Sequence, residues 1–268
     1  MSEFVVFPTA APRPLKDRVI LVTGAHGGLG AEAAKACARA GATVVLLGRK
    51  VPKLGRVYDA LKALGPEPAL YPMDLAGADP ADMETLADTV ARELGRLDGL
   101  LHCAADFAGL TPLENTPPEQ FARQVQVNLS ARWFLTQACL PLLRKAEDSA
   151  IVFALDDAAR GARAYWGAYG LTQLAGEGLV RMLHAETENS PVRVSGLRPG
   201  PMRTALRSRA FVDEAMLRVP GPEAYAEACV LLLSPEGRTH RGEIHAPEPA
   251  STPGAGGATP VAPASALR

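Results

Sequence analysis

The chain has 268 residues, a formal net charge of −1 and 21% charged residues, mixed along its length without long runs of one sign. That balance leaves no basic footprint for nucleic acid and no polybasic patch for a membrane surface, so a small molecule is the expected partner. No apolar run approaches a membrane span, and residues 4–7 are too short for the apolar core of a signal peptide. Four cysteines, Cys37, Cys103, Cys139 and Cys229, lie far apart among apolar residues without a Cys-xx-Cys pair. They predict buried free thiols, a reducing cytoplasm and no metal site.

Residues 1–16 carry Pro8, Pro12 and Pro14, which deny them a regular helix or an interior strand and predict a surface arm. The chain then organises itself around an apolar run, 19–22, that breaks at Thr23-Gly24-Ala25-His26-Gly27-Gly28-Leu29-Gly30 and continues as an alanine-rich stretch over 31–40. This reads as a buried strand, a tight turn and a helix start. Glycines let a backbone approach a ligand closely, and a helix start aims free N–H groups and a positive dipole end at an anion. Gly24, Gly28 and Gly30 therefore predict a cradle for the diphosphate of a dinucleotide.

A second continuous apolar strand at 42–47 ends at Gly48-Arg49-Lys50. An acidic residue at this strand end would bond a ribose 2′-hydroxyl and repel a 2′-phosphate. Arg49 can instead fork onto a phosphate, which favours NADP(H) over NAD(H). A helix over 53–64 and a strand over 69–73 lead to Asp74-Leu75, where the aspartate by itself reads as a helix-entry or turn residue. Asp79 then Pro80 have the order of a cap and a first helical turn, predicting a helix to 94 and a strand over 97–103. Apolar residues from Phe121 to Leu142 cover more than one helix face and predict a long helix buried on several sides. Strands at 149–155 and 192–197, a helix opening at Trp166-Gly167-Ala168-Tyr169, a helix over 223–233 and a strand over 243–246 complete an alternating α/β pattern. That pattern predicts one doubly wound parallel sheet over 17–247. Arg207, Arg209 and Arg218 read either as a solvated basic face or as contacts to an anionic substrate, and residues 248–268, rich in Ala, Pro and Gly, as a disordered tail.

The Thr-Gly turn with its third glycine at Gly30 resembles that of the short-chain dehydrogenase/reductase family. The phrases Arg96-Leu97-Asp98-Gly99, Val125-Gln126-Val127-Asn128, Leu135-Thr136-Gln137-Ala138 and Trp166-Gly167-Ala168-Tyr169 resemble its YciK-type branch. The resemblance implies a Rossmann-like fold and a cofactor site built from Thr23, Gly24, His26, Gly28, Leu29, Gly30, Arg49, Asp74, Leu75, Ala104, Pro199, Gly200 and Thr204. It implies that Asn128 holds a water in a proton relay, that Tyr169 is the proton donor, and that the helices around 121–142 and 169–188 form the face of a homodimer or homotetramer.

Four positions depart from the family. Cys103-Ala104-Ala105 replaces its Asn-Ala-Gly, and the serine and lysine that the resemblance pairs with Tyr169 are here Asp156 and Gln173. A phenol with an ordinary pKa of about 10 needs a nearby cation to serve near neutral pH, and Gln173 carries no charge. A carboxylate about 5 Å away at an effective dielectric of about 20 opposes the phenolate by roughly 3 kcal/mol. Two functions follow as expectations: a cofactor-binding member with weak or lost hydride transfer and a sensor or scaffold role, or an active NADP-dependent oxidoreductase with an altered proton relay around Tyr169 and Asp156.

Overall fold

The computed structural model describes residues 13–212, 215 and 218–250. Strand β1 (Val19–Thr23) is buried along its whole length. Its side chains divide by parity, Ile20 and Val22 packing on one face of the sheet, Val19 and Leu21 on the other. Strands β2 (Thr43–Gly48) and β5 (Ser149–Ala154) divide in the same way, with Val44, Leu46 and Val152 on the first face and Val45, Leu47 and Phe153 on the second. Strands covered on both faces have no polar side, which is why the sequence carries continuous apolar runs there.

With β3 (Ala69–Pro72), β4 (Gly99–His102), β6 (Val192–Leu197) and β7 (Ile244–His245), these strands form a parallel sheet in the order β3-β2-β1-β4-β5-β6-β7. Helices α1 (Gly28–Arg39), α2 (Val51–Lys62) and α8 (Ala226–Leu233) cover one face; α3 (Pro80–Leu94), α5 (Ala131–Leu143) and α7 (Gly167–Thr187) cover the other. This is the expected Rossmann-like, doubly wound fold. The strand order reverses between β1 and β4, and a crevice above the carboxyl ends of the strands at such a reversal is where ligands bind.

Local signals explain several element ends. Asp79 accepts from the Asp82 N–H at 2.9 Å while Asp82 accepts from the Asp79 N–H at 3.0 Å, a reciprocal cap that starts α3 where the sequence places it. The strand expected over 97–103 is shorter than predicted. Asp98, just before β4, turns its carboxylate inward to accept from the Val19 N–H at 2.8 Å and from Arg96. The helix expected over 223–233 opens with a 3₁₀ turn, Pro222–Tyr225, before α8.

The expectation of one long helix buried on several sides is corrected. The segment is α4 (Pro118–Val125), a π turn (Gln126–Ser130) and α5. Phe121 and Trp133 are 44% and 43% exposed. Each residue advances a helix by about 100°, so the wider turn rotates the faces on its two sides out of the register that a single 3.6-residue period assumes.

All four cysteines are free; Cys37, Cys139 and Cys229 are buried and Cys103 half-buried. No helix among the described residues is long and apolar enough to cross a membrane. Of the expected arm, residues 13–16 turn against the end of α1, with Leu15 fully buried and its N–H donating to the Ala40 carbonyl at 3.0 Å. Residues 1–12 lie outside the described residues. Of the expected tail, the Ala250 N–H donates to the Ala224 carbonyl at 3.0 Å, and residues 251–268 lie outside the described residues.

Candidate active site

One cavity runs along the carboxyl ends of the strands from the Gly24–Gly28 turn to Tyr169. At its centre Gly24 has a left-handed φ of 65°, and a Cβ there would stand 2.8 Å from the Ala104 Cα. A Cβ on Gly30 would stand 2.6 Å from the Gly24 carbonyl oxygen, so Gly30 serves the packing of α1 on the turn and not the cavity wall. Helix α1 begins without a side-chain cap. Its first N–H groups are thus left for a ligand at the positive end of the helix dipole.

At one end of the cavity lie His26, Gly48, Arg49, Lys50, Lys53, Asp74 and Leu75. A Cβ at 48 would stand 2.5 Å from the His26 Nδ1, so a side chain there would require the imidazole to move. That nitrogen is itself buried without a hydrogen-bond partner. Burial, then the charges of Arg49, Lys50 and Lys53, push the His26 imidazole below its ordinary pKa, so it sits neutral among three cations. Arg49 faces Asp74 at 3.8 Å in a half-exposed pair, which is weak for that reason. Asp74 also accepts from the Ala76 N–H at 3.1 Å, as a turn aspartate does. The residues here fit a phosphate: cations, free backbone donors and no competing acid at 48.

At the other end Tyr169, Asp156 and Gln173 come together. The Tyr169 hydroxyl donates to the Asp156 carboxylate at 3.2 Å, and the Gln173 side-chain oxygen accepts from the Asp156 N–H at 2.9 Å. The other Asp156 oxygen accepts from the Asp157 N–H at 2.7 Å and faces Arg160 at 3.5 Å. Burial raises the phenol's pKa first, the charge of Asp156 and its hydrogen bond raise it further, and Arg132 and Arg160 oppose both in part. The phenol therefore holds its proton well above the ordinary tyrosine range.

An aromatic wall closes this end: Phe107 lies 5.4 Å from Trp166 and 4.9 Å from Tyr169. Arg207 and Arg209 both rim the cavity, Arg207 half-buried and Arg209 exposed. The Arg207 guanidinium stacks 4.2 Å from the centre of the Phe211 ring, and Arg209 donates to the Phe107 carbonyl. The turn Arg207–Arg209 sets Arg207 beside a ring on which a guanidinium plane can lie.

Gly28, Leu29, Ala104, Pro199, Gly200 and Thr204 also line the cavity. Thr23, Gly30 and Asn128 do not. The Thr23 hydroxyl accepts from the Cys103 and Ala104 N–H groups at 3.1 and 3.0 Å, tying β1 to the end of β4. Asn128 sits in the π turn, fully buried, and its amide exchanges two bonds with the Asp106 backbone at 2.7 and 2.9 Å. It positions the loop that carries Phe107.

Sequence reasoning missed Arg132. It is 3% exposed, lines the cavity, and donates through one nitrogen to the carbonyls of Ala104 and Ala154 at 3.3 and 3.2 Å. The available signal was its isolation, as the one charged residue in the otherwise uncharged stretch 129–143.

A parallel, doubly wound sheet with a glycine cradle at its switch point and a tyrosine facing the same cavity defines a dinucleotide-binding oxidoreductase fold. The sequence profile of short chain dehydrogenases matches residues 18–215, and the chain belongs to that family. It is 36% identical over 241 residues to the uncharacterized oxidoreductase YciK of Escherichia coli, covering 90% of this chain and 95% of that one. A short chain dehydrogenase structure from Pseudomonas syringae superposes with a TM-score of 0.84 at 42% identity, covering 91% of this chain and 99% of that one. Another, from Escherichia coli and complexed with NADPH, superposes with a TM-score of 0.83 at 36% identity, covering 87% and 98%.

Proposed function

We propose that this chain binds NADP(H) in preference to NAD(H), and that its exchange of hydride with carbonyl or alcohol substrates is weak at neutral pH, leaving a sensor or scaffold role. The carrying observation is the Tyr169 hydroxyl donating to Asp156, with Gln173 where a lysine would stand. The cofactor would supply the hydride. The chain's part is to hold the cofactor's phosphates with the α1 start, Arg49 and Lys50, and to give or take a proton at the Tyr169 oxygen. Giving that proton leaves a phenolate beside a carboxylate, which opposes the step. The related NADPH complex supports the cofactor preference, as does the absence of an acid at position 48, where Gly48 is followed by Arg49 and Lys50.

The test is single-turnover oxidation of NADPH over a panel of reactive diketones, after titration with NADPH and NADH. Tight NADPH binding with slow turnover is expected; rapid turnover at neutral pH overturns the reading.

A second reading, an active oxidoreductase with an altered relay, is favoured by the continuous path from Tyr169 through Asp156 to Arg160. Under it, Asp156→Asn abolishes turnover by the unmodified protein's route.

Residues 17–247 are taken as the folding unit, and the four free thiols favour the cytoplasm. Leu171, Leu174 and Met182 on α7, with Trp133 on α5, expose apolar surface that a homodimer or homotetramer would cover. Light scattering of the purified protein tests this, and a monomer at micromolar concentration overturns it.

A further inference from the structure

We propose that Arg132 takes the place of the missing lysine, bringing a positive charge to Tyr169 from α5 and not from α7, so that the phenol's proton can be exchanged at all. The proposal rests on Tyr169 being the proton-handling group of the cofactor cavity.

Three observations carry it. Arg132 is buried in the cavity wall that it shares with Tyr169, Gln173 and Asp156. Among the described residues no carboxylate pairs with it, and its Nε and Nη1 are buried without a hydrogen-bond partner. A guanidinium kept from water without a counter-charge is costly. Such a group favours an anion nearby, and the groups able to become one are the Tyr169 phenol and the Cys103 thiol. Burial holds Cys103 up at about 12, with Arg132 opposing, and the phenol is the one of the two that is hydrogen-bonded to Asp156. Arg132 draws the phenol downward, and the phenol in turn raises the guanidinium, whose own pKa burial lowers.

The charged groups facing the phenol are then one on each neighbouring element. Asp156 follows β5 and opposes ionisation; Arg160 on α6 (Ala158–Gly161) is engaged with Asp156; Arg132 on α5 has donors left over. The two carbonyls that Arg132 grips, at Ala104 and Ala154, lie at the ends of β4 and β5. They fix the guanidinium at the floor of the cavity. Arg132 is a positioning residue in this scheme: it acts through Tyr169, and the proton exchanged is the one on the phenol oxygen.

The test reads ionisation directly and needs neither turnover nor a cofactor preference. A polyfluorinated tyrosine, whose phenol ionises at lower pH, is placed at position 169 and titrated by fluorine NMR in the full chain. Arg132→Gln, which retains a donor for the two carbonyls, moves the phenol's pKa up by about one unit or more. Arg132→Thr is the alternative if the glutamine variant no longer binds NADPH. Arg132→Lys leaves the ionisation within about half a unit of its starting point, since it keeps the charge. Adding Gln173→Lys to Arg132→Gln brings the ionisation back down, which no structural role for Arg132 would produce. An unmoved titration in a charge-less variant that still binds NADPH overturns the proposal. The underlying reading fails separately, if Tyr169→Phe leaves single-turnover hydride transfer unchanged.

Discussion

At the diphosphate end of the cavity, recognition rests on backbone: a left-handed φ of 65° at Gly24, a close approach at Gly30 and the uncapped start of α1. At the tyrosine end it rests on side chains that arrive from three places, Arg132 on α5, Asp156 after β5, and Tyr169 and Gln173 on α7. The glycine turn at the first end keeps the family's spacing, whereas the second end carries Asp156 and Gln173 where the resemblance leads one to expect serine and lysine. A backbone cradle leaves little room for compensation, because a Cβ added at Gly24 or Gly30 meets another main chain. A side-chain constellation can be rebuilt, because a charge on any neighbouring element acts through space. Family membership therefore carries over to cofactor binding with far less loss than to proton transfer.

The comparison breaks most sharply at the cradle. Gly24→Val should weaken NADPH binding by about 100-fold or more, because it forces a β-branched residue into a left-handed φ against the Ala104 backbone. Fluorescence titration measures it, and an affinity within about threefold of the unmodified protein (~0.65 kcal/mol) would remove the backbone argument.

The converse change restores the other end. Asp156→Ser with Gln173→Lys removes the opposing carboxylate and supplies a second cation. NADPH oxidation with diketones should rise about tenfold or more, about 1.4 kcal/mol of barrier, and each single change should do less. A double variant slower than the unmodified protein would make Asp156 a working part of a different mechanism.

A pH series sharpens the same contrast. Burial and then Asp156 hold the Tyr169 phenol above its ordinary range, so its basic form is the minor one throughout the neutral region. Alcohol oxidation, which needs that form, should climb up to about tenfold per pH unit into the alkaline range. NADPH affinity should stay nearly flat there. A rate plateau near neutrality would place the phenol's ionisation far lower than its surroundings imply.

The smallest effect belongs to Arg49, half-exposed and shared with Asp74. Arg49→Ala should narrow the preference for NADPH over NADH by about three- to tenfold, in keeping with the modest worth of solvated charge pairs. An unchanged ratio would shift the 2′-phosphate contact to Lys50 or Lys53.

The order of strands and helices was legible because each element announces itself locally. Val44 to Leu47 form a continuous apolar run, Asp79 and Pro80 have the order of a cap, and Gly24 to Gly30 have the spacing of a turn that leads into a helix. What exceeded that reading depends on more than one element at a time. The π turn at Gln126–Ser130 hid inside a helical pattern, since a change of period over five residues leaves the composition untouched. The rim position of Arg207 and Arg209 required Phe211 and Phe107 to be brought beside them.

The sequence by itself determined the fold, the glycine cradle and the uncharged side chain at position 173, because these are set by periodicity, steric demand and the identity of a single residue. Only the tertiary structure decided what surrounds Tyr169. The pKa of a buried group depends on every charge within a few ångströms, whatever its place in the chain. Arg132 lies 37 positions before Tyr169 in the numbering and comes to line the same cavity only when α5 and α7 pack on the same face of the sheet.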